Sequence, residues 1–467
     1  MDPFDVAVIG GGWGGYTAAV TAARHGLRTA LVERDKLGGT CLHRGCIPTK
    51  VLLQTADLLA LARRGEEYGV RLSAPDLDYE RVRTRKGEVV DQLYRGLQTL
   101  VRASKATLIA GDARLEGPDQ IAVRIEGGGE ERITARTIIL ATGSKPRALP
   151  GLETDGRVVM DSDQILEVER LPGSIIVLGS GAVGVEFASC YNDYGVAVTL
   201  VEMLPAITPL EDKDVSNGLA RSLSKRGINI FTDARALPET LERTDSGIRI
   251  QVEEKNGHRR QLDAEALLVA VGRAPLSEGL GLEKAGVSAE RGFVMVDESM
   301  RTNVPTIYAV GDLRAPGLQL AHVAAAEGEY AADVIAGAAT VPVTFNRLPR
   351  TTYCRPQIAS IGLTEDEAKQ AGKAVKVGRA HLRVNGKALI VGEPEGFVKL
   401  VADADRGDIL GVHILGTNAS ELIAEVALAN LLDAAVWEVA RTVHPHPTLS
   451  EAIGEAAQAA ERPPLKL

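Results

Sequence analysis

Cys41 and Cys46 stand five positions apart in the run Gly38-Gly-Thr-Cys-Leu-His-Arg-Gly-Cys-Ile-Pro48, and they are half of the chain's four cysteines. Two cysteines this close suggest thiol–disulfide exchange, in which the pair takes two electrons from a dithiol and holds them as two thiols. In an ideal helix this spacing separates the residues by roughly 7.5 Å of rise alone, more than a disulfide normally spans. A bridge therefore needs a distorted turn. Gly45 is free to take unusual dihedrals, and Pro48 lacks an N–H and is expected to push Ile47 out of helical geometry. Spacing alone leaves two readings open: a local, bent, easily reduced disulfide, or two unrelated core thiols.

The elements around this run follow a pattern that occurs twice. A short apolar strand, Asp5 to Gly10, leads into Gly10-x-Gly12-x-x-Gly15, an alanine-rich helical stretch, and a second strand, Thr29 to Val32, that ends at Glu33. The series restarts at Ser174 to Gly179, with the turn Gly179-x-Gly181-x-x-Gly184, a helix through Glu186 and Phe187, and a strand from Val196 to Val201 that ends at Glu202. In both copies the acid falls 23 residues after the first glycine. A strand, this glycine pattern, a helix and an acid about twenty residues on form the Rossmann fingerprint. The glycines let backbone approach a pyrophosphate at the helix N-terminus, and the acid accepts from ribose hydroxyls. Each copy is therefore expected to hold an adenine dinucleotide. No arginine follows Glu202 to meet a 2′-phosphate, which favours NAD over NADP at the second site.

Composition sets the context. The chain has 467 residues, with 45% hydrophobic and 25% charged, as expected of a globular protein of about three domains. The net charge of −9 and the lack of a basic tract argue against nucleic acid as a partner. The start, Met-Asp-Pro-Phe-Asp-Val, does not resemble a signal peptide, and no apolar run is long enough for a membrane span. A cytoplasmic location is expected. Four cysteines are too few for a disulfide framework there, so a paired thiol would be catalytic rather than structural. The Rossmann residues begin at once, so no further amino-terminal domain is expected. No metal site is expected.

The order of the motifs carries a resemblance. The first glycine turn with Glu33, the segment Gly39-Thr40-Cys41 to Lys50, and Ala141-Thr142-Gly143-Ser144 are followed by the second glycine turn and Val271-Gly272-Arg273-Ala274-Pro275. Ala309-Val310-Gly311-Asp312 and His446-Pro447-Thr448-Leu449-Ser450-Glu451 complete the series. The chain resembles the flavin-dependent pyridine nucleotide-disulfide oxidoreductases and, among them, the dihydrolipoamide dehydrogenases most closely. The resemblance implies an α/β fold with two Rossmann-like domains, for FAD and NAD, and a C-terminal α+β interface domain for dimerisation. The expected divisions are 1–148 for the first part of the FAD domain, 149–272 for the NAD domain, 273–345 for the FAD return segment and 346–467 for the interface domain. The runs Lys145 to Gly151 and Gly272 to Pro275 read as links, and Gln319 to Ile335 as a helix.

The same resemblance implies the roles. Gly10, Gly12, Gly15, Glu33, Gly143 and Asp312 would serve FAD, with Asp312 accepting from the ribityl chain. Gly179, Gly181, Gly184, Glu202 and Gly272 would serve NAD. Lys50 would lie near the flavin ring and pair with Glu186. Cys41 would be the thiol that exchanges with lipoamide, and Cys46 the thiol against the flavin. A thiolate needs nearby positive charge or a helix N-terminus. His446, confined by Pro445 and Pro447, would be the base, and Glu451 would orient it. Thr448-x-x-Glu451 is also a capping box, and one carboxylate can do both. His444 reads as structural. The implied activity is oxidation of dihydrolipoamide, on the lipoyl groups of a 2-oxo acid dehydrogenase complex or a glycine cleavage system, with reduction of NAD. The implied partners are the lipoyl domain, the acyltransferase component, and a second copy of the chain in a homodimer with shared active sites.

Several residues depart from the family's pattern. Trp13 lies inside the first turn, Leu276 and Gln357 replace commoner residues, and His43 and Arg44 put possible positive charge between the cysteines, where it could favour a thiolate. Cys190 and Cys354 read as core thiols. A glutathione or trypanothione reductase should prefer NADP, which Glu202 and its neighbours oppose. A mercuric reductase should carry a C-terminal cysteine pair, absent from Arg462 to Leu467. A non-catalytic flavoprotein scaffold would have no need of Cys41, Cys46, His446 and Glu451 together.

Overall fold

In the segment Phe4–Ile9 (β1) the burial pattern passes into four fully buried residues, Val6 to Ile9, the signature of a central strand in a parallel sheet. The computed structural model describes residues 2–461 except 74, 126, 316, 345 and 346. The tail Arg462 to Leu467 and the 345/346 boundary thus lie outside the described residues. The chain divides into two compact units.

The first unit comprises Met1–Val51, Glu80–Arg147 and Arg273–Phe345. β1 is followed by helix α1 (Trp13–Arg24) and strand β2 (Thr29–Glu33). β1 pairs in parallel with β2 on one side and with Glu130–Leu140 on the other. Thr107–Leu115 continues the parallel sheet beyond β2, and Ile307–Ala309 continues it beyond Glu130–Leu140. The sheet's order therefore reverses at β1, and the glycine turn leaves its carboxyl end there, where open α/β sheets bind ligands. Apolar side chains on both faces of the sheet form the cores that hold it. The two expected links pair with each other as a short antiparallel ribbon, with Pro275 opposite Ser144 and Arg273 opposite Pro146. The expected alanine-rich helix runs over Ala321–Ala336.

The second unit comprises Leu52–Tyr79, Ala148–Gly272 and Asn346–Leu467. It repeats the arrangement: Ser174–Leu178 is central in a five-stranded parallel sheet, flanked by Ala197–Val201 and Ala266–Val269. The repetition extends to single hydrogen bonds. Gly10 N–H donates to Val32 O and Gly179 N–H to Val201 O, both at 2.8 Å. Ala141 N–H donates to Ile9 O and Ala270 N–H to Leu178 O, also at 2.8 Å. The same unit holds an antiparallel five-stranded sheet formed by Arg350–Thr352, Gln357–Gly362, Ile409–Gly416, Phe397–Asp403 and Val375–His381. Helix Glu451–Glu461 packs on it through Ala452, Ile453, Ala456, Ala457 and Ala460. The approach is close, since a Cβ on Gly378 would lie 1.9 Å from Ala456 O. Among the described residues no helix is long and apolar enough to cross a membrane.

Candidate functional site

The first glycine turn is shaped by two different demands. Gly15 faces the fold: a Cβ there would lie 1.8 Å from Gly10 O, so the helix sits on the turn only because the side chain is missing. Gly12 faces open space. Its backbone is extended, at φ −68° and ψ −174°, which any residue adopts, and a Cβ there would meet nothing within 4 Å. Neither conformation nor protein neighbours require glycine at this position, but a phosphate pressed against the backbone would. Glu33 closes the turn, with Oε2 accepting from Gly11 N–H at 2.6 Å and Oε1 from Asp35 N–H at 2.8 Å. The residues present fit an adenine dinucleotide.

The cysteine segment is attached directly to this turn. Gly38 N–H donates to Gly11 O at 2.8 Å, Gly38 bridges to Gly12, and a Cβ on Gly39 would lie 3.0 Å from Gly12 Cα. Two helices follow, α2 (Gly39–Arg44) and α3 (Cys46–Arg63), broken at Gly45 with φ −147° and ψ −113°. A Cβ on Gly45 would lie 3.0 Å from Thr40 O and 3.4 Å from Cys41 Cα. Gly45 alone makes the break that brings the half-buried cysteines together. The expected effect of Pro48 on Ile47 does not occur: Ile47 is helical and Pro48 is the third residue of α3. N–H groups in a first helical turn have no acceptor within the helix, so proline loses nothing there.

Cys41 and Cys46 are thiols within hydrogen-bond reach of each other, near disulfide distance. The hydrogen bond with Cys46, then burial, holds the Cys41 thiol well above the ordinary range, while the charge of Lys50 pulls it down. Losing a proton from this pair would place negative charge on touching sulfurs. The expected positive charge of His43 and Arg44 is directed elsewhere. His43 Nε2 lies 2.9 Å from Leu37 O with its ring edge-on to Tyr94, and Arg44 pairs with Asp35 at 3.0 Å. Trp13 opens α1 and packs its ring 5.8 Å from that of Tyr16.

Also in the first unit, Asp312 follows Gly311 in a single 3₁₀ turn. Burial pushes its carboxyl up, against the pull of Ser144 and Arg273. Ser144 Oγ donates to Asp312 Oδ2 at 2.5 Å, and Arg273 Nε donates to Ser144 Oγ at 2.7 Å. Arg273 and Ser144 were missed as site residues, although both lie in quoted motifs. Gly143, beside them, has φ +74°, and its carbonyl accepts from Leu276 N–H at 2.9 Å.

The second unit repeats the turn. A Cβ on Gly184 would lie 1.9 Å from Gly179 O, whereas one on Gly181, at φ −65° and ψ −176°, would meet nothing within 4 Å. Glu202 is buried and accepts from Ser180 N–H at 2.9 Å, Ser180 Oγ at 2.7 Å and Leu204 N–H at 2.9 Å. This turn too fits a dinucleotide. Gly272, the last residue of its segment of the unit, has φ +105°. Glu186 is buried in the helix after the turn, and its Oε1 accepts from Tyr353 N–H at 2.9 Å. Cys190 and Cys354 are buried, and burial pushes both thiols up, as expected of core residues.

His446 also belongs to the second unit. Its Nδ1 lies 2.8 Å from Glu451 Oε1, and Glu451 Oε2 accepts from Thr448 N–H at 2.8 Å. One carboxylate thus holds the ring and caps backbone. The Thr448 N–H bond first, then His446, draws the Glu451 carboxyl below its usual range. Glu451 thus supplies the carboxylate half of the capping box, while Thr448 Oγ1 donates to Pro445 O at 2.7 Å and lies 2.9 Å from Ser450 Oγ. The His446 side chain is 78% exposed. His444, at 8%, lies 2.8 Å from Glu425 Oε1 and packs against Gly454, as its structural reading required.

Known proteins share this arrangement over almost the whole chain. The family described as pyridine nucleotide-disulphide oxidoreductase matches residues 4–328, and its dimerisation domain matches residues 348–457. A dihydrolipoyl dehydrogenase of Bacillus subtilis is 47% identical over 466 residues, covering 98% of each chain. One from Mycobacterium tuberculosis is 43% identical over 458 residues, covering 97% of each. Among solved structures, LpdA of Mycobacterium tuberculosis superposes with a TM-score of 0.89 at 30% identity, covering 97% of this chain and 99% of that one. The HOCl-induced flavoprotein disulfide reductase RclA of Escherichia coli, solved as a Cu(II) complex, gives 0.86 at 28% identity, covering 98% and 99%. Two dinucleotide turns, a cysteine pair joined to the first of them and a matching dimerisation domain place the chain in the pyridine nucleotide-disulphide oxidoreductase family.

Proposed function

We propose that this chain oxidises dihydrolipoamide to lipoamide and reduces NAD+ to NADH, as a homodimer using FAD. The observation that carries this reading is the Cys41–Cys46 pair, brought together by the break at Gly45 and joined through Gly38 to the first dinucleotide turn. Two electrons must move as a pair from a dithiol to a nicotinamide, and a thiol pair beside a flavin site is the chemical means.

The steps balance as follows. In the oxidised enzyme Cys41 and Cys46 form a disulfide. One substrate thiol gives its proton to His446 and attacks Cys41 Sγ. The Cys41–Cys46 bond breaks, and Cys46 leaves as a thiolate. The second substrate thiol releases its proton to solvent as its sulfur closes the lipoamide disulfide and expels Cys41, which takes the proton back from His446. Glu451 fixes the ring through Nδ1, so Nε2 is the nitrogen that exchanges protons. FAD, when bound, would supply the two-electron relay between the Cys41 thiol and Cys46 thiolate on one side and NAD+ on the other. The net result is one disulfide formed in the substrate, one NADH and one proton.

The remaining roles follow the family to which the chain belongs. Gly10, Gly12, Gly15, Glu33, Gly143 and Asp312 hold FAD, and Gly179, Gly181, Gly184, Glu202 and Gly272 hold NAD. The exposed His446 is contributed by the second subunit, so each active site is shared. The domain division is that of the sequence reading, with residues 346–467 forming the interface domain. The working partner is a lipoyl domain carried by an acyltransferase component, in the cytoplasm.

The test is a steady-state comparison of lipoamide, glutathione disulfide and Hg(II), each with NADH and with NADPH. Lipoamide with NADH should be the fastest pair. A preference for glutathione disulfide with NADPH would replace this reading with a glutathione reductase.

A further inference from the structure

The two dinucleotide turns differ at the position after their first glycine, Gly11 in one and Ser180 in the other, and the difference changes what their acids can offer. A carboxylate has about four acceptor positions, two on each oxygen. Glu33 uses one on each: Gly11 N–H fills one on Oε2 and Asp35 N–H one on Oε1. Both oxygens can still accept from a ribose, one hydroxyl each. Glu202 is more heavily occupied. Ser180 N–H and Ser180 Oγ both donate to Oε2, which is then full, while Leu204 N–H leaves one position on Oε1.

We propose that Ser180 is an affinity-setting residue for the exchangeable nucleotide: its hydroxyl fills an acceptor position on Glu202 and leaves the adenosine ribose a single hydrogen bond. The resident cofactor at the first turn is held by two. Ser180 suits this role because it is fully buried and its carbonyl accepts from Thr208 N–H at 3.0 Å, so the side chain is held on Glu202. The first turn has less room for the device. A Cβ on Gly11 would lie 2.8 Å from Leu37 Cδ2 and 3.0 Å from Glu33 Oε2. Ser180 is a positioning residue acting through Glu202, and a loosely held product can leave after each turnover.

This inference rests on the second turn being the NAD site, and the experiment separates the two. Calorimetric titration of the oxidised, FAD-loaded dimer with NAD+ is compared for wild type, Ser180→Ala and Ser180→Gly. Freeing the acceptor position should tighten NAD+ binding about ten- to a hundredfold, the usual effect of one hydrogen bond to a charged group. An NAD+ analogue with a 2′,3′-dideoxy adenosine ribose should bind all three proteins equally. The rate of reduction by dihydrolipoamide, which does not involve this ribose, should not change. Unchanged or weaker NAD+ binding in both variants would overturn the proposal, as would equal tightening of the analogue. Failure of wild type to bind NAD+ would instead overturn the site assignment.

Discussion

Substituting alanine at Gly181 and at Gly184 separates what the fold requires of a dinucleotide turn from what the ligand requires. The two glycines are three residues apart, yet their surroundings are opposite. A Cβ on Gly184 would lie 1.9 Å from the carbonyl oxygen of Gly179, about 1.5 Å short of an ordinary contact. The obstacle is backbone, so no side chain can rotate away, and the helix must lift from the strand that supports it. Overpacking of this kind costs about 3 kcal/mol. At about 2–4 °C per kcal/mol for a domain of this size, Gly184→Ala should melt roughly 6–12 °C lower. A Cβ on Gly181 would meet nothing, and its backbone angles suit alanine. Losing glycine at the helix N-cap costs about 0.5–1 kcal/mol, offset by the smaller entropy of the unfolded chain. Gly181→Ala should therefore melt within about 2 °C of wild type. Its defect should appear in binding, because the methyl group occupies the space where a pyrophosphate approaches the backbone. Loss of one charge-assisted hydrogen bond predicts NAD+ affinity weaker by about tenfold or more. Circular dichroism melts and calorimetric titration of both variants provide the comparison. If Gly181→Ala melts as low as Gly184→Ala, or binds NAD+ normally, the open space at Gly181 is not a ligand site.

Other consequences can be checked separately. His446→Gln should lose most turnover with dihydrolipoamide while binding FAD normally, and an unchanged rate would point to a different proton carrier. Anaerobic reduction of wild type should produce a long-wavelength absorbance that Cys46→Ser lacks, and a retained band would exchange the roles of the two sulfurs. Asp57 provides a pH test of stability. Burial, then the nearby Asp193 carboxylate, pushes its carboxyl up to about 6, against the pull of Arg355 and Arg226. A raised carboxyl contributes stability that is fully present below its unfolded value near 4 and is lost as pH rises through 6. In urea titrations, Asp57→Asn should gain about 2–3 kcal/mol relative to wild type between pH 4 and 7. A difference that does not vary with pH would show that Asp57 ionises normally.

What could be read from the sequence was what lies close together along it. The glycine turns and their acids were legible because a strand, a turn and a helix fix the spacing, and the distance from Gly10 to Glu33 equals that from Gly179 to Glu202. His446 and Glu451 were legible as a pair because five residues separate them. The hydrogen-bonded set of Ser144, Arg273 and Asp312 was not, because it joins segments 129 and 168 residues apart. Its one signal was indirect: both quoted motifs, Ala-Thr-Gly-Ser and Gly-Arg-Ala-Pro, lie where two links pair. Charge was misread for a similar reason. Arg44 is adjacent to the cysteines in sequence, but its side chain reaches Asp35, and Lys50 is the cation that acts on Cys41. At Pro48 a general rule was applied in the one part of a helix where it has least effect.

The repeat also explains why the chain has a single redox pair. Both copies bring a strand, a glycine turn and an acid to the same geometry, so the turn itself cannot decide which copy exchanges electrons with thiols. The residues after the acid decide it. Beyond Glu33 the chain returns through Gly38 to bond with Gly11 and Gly12, and its next helix presents Cys41. Beyond Glu202 the chain instead returns through Thr208 to bond with Ser180, the residue that occupies the acid. The first return thus attaches a dithiol to a turn whose acid keeps an acceptor position on each oxygen. At the second turn the return bonds only to the carbonyl of Ser180, whose own hydroxyl takes up an acceptor position on Glu202. An electron path that runs from a dithiol through a resident cofactor to a departing one calls for this difference, and here it arises from two departures from one repeated turn.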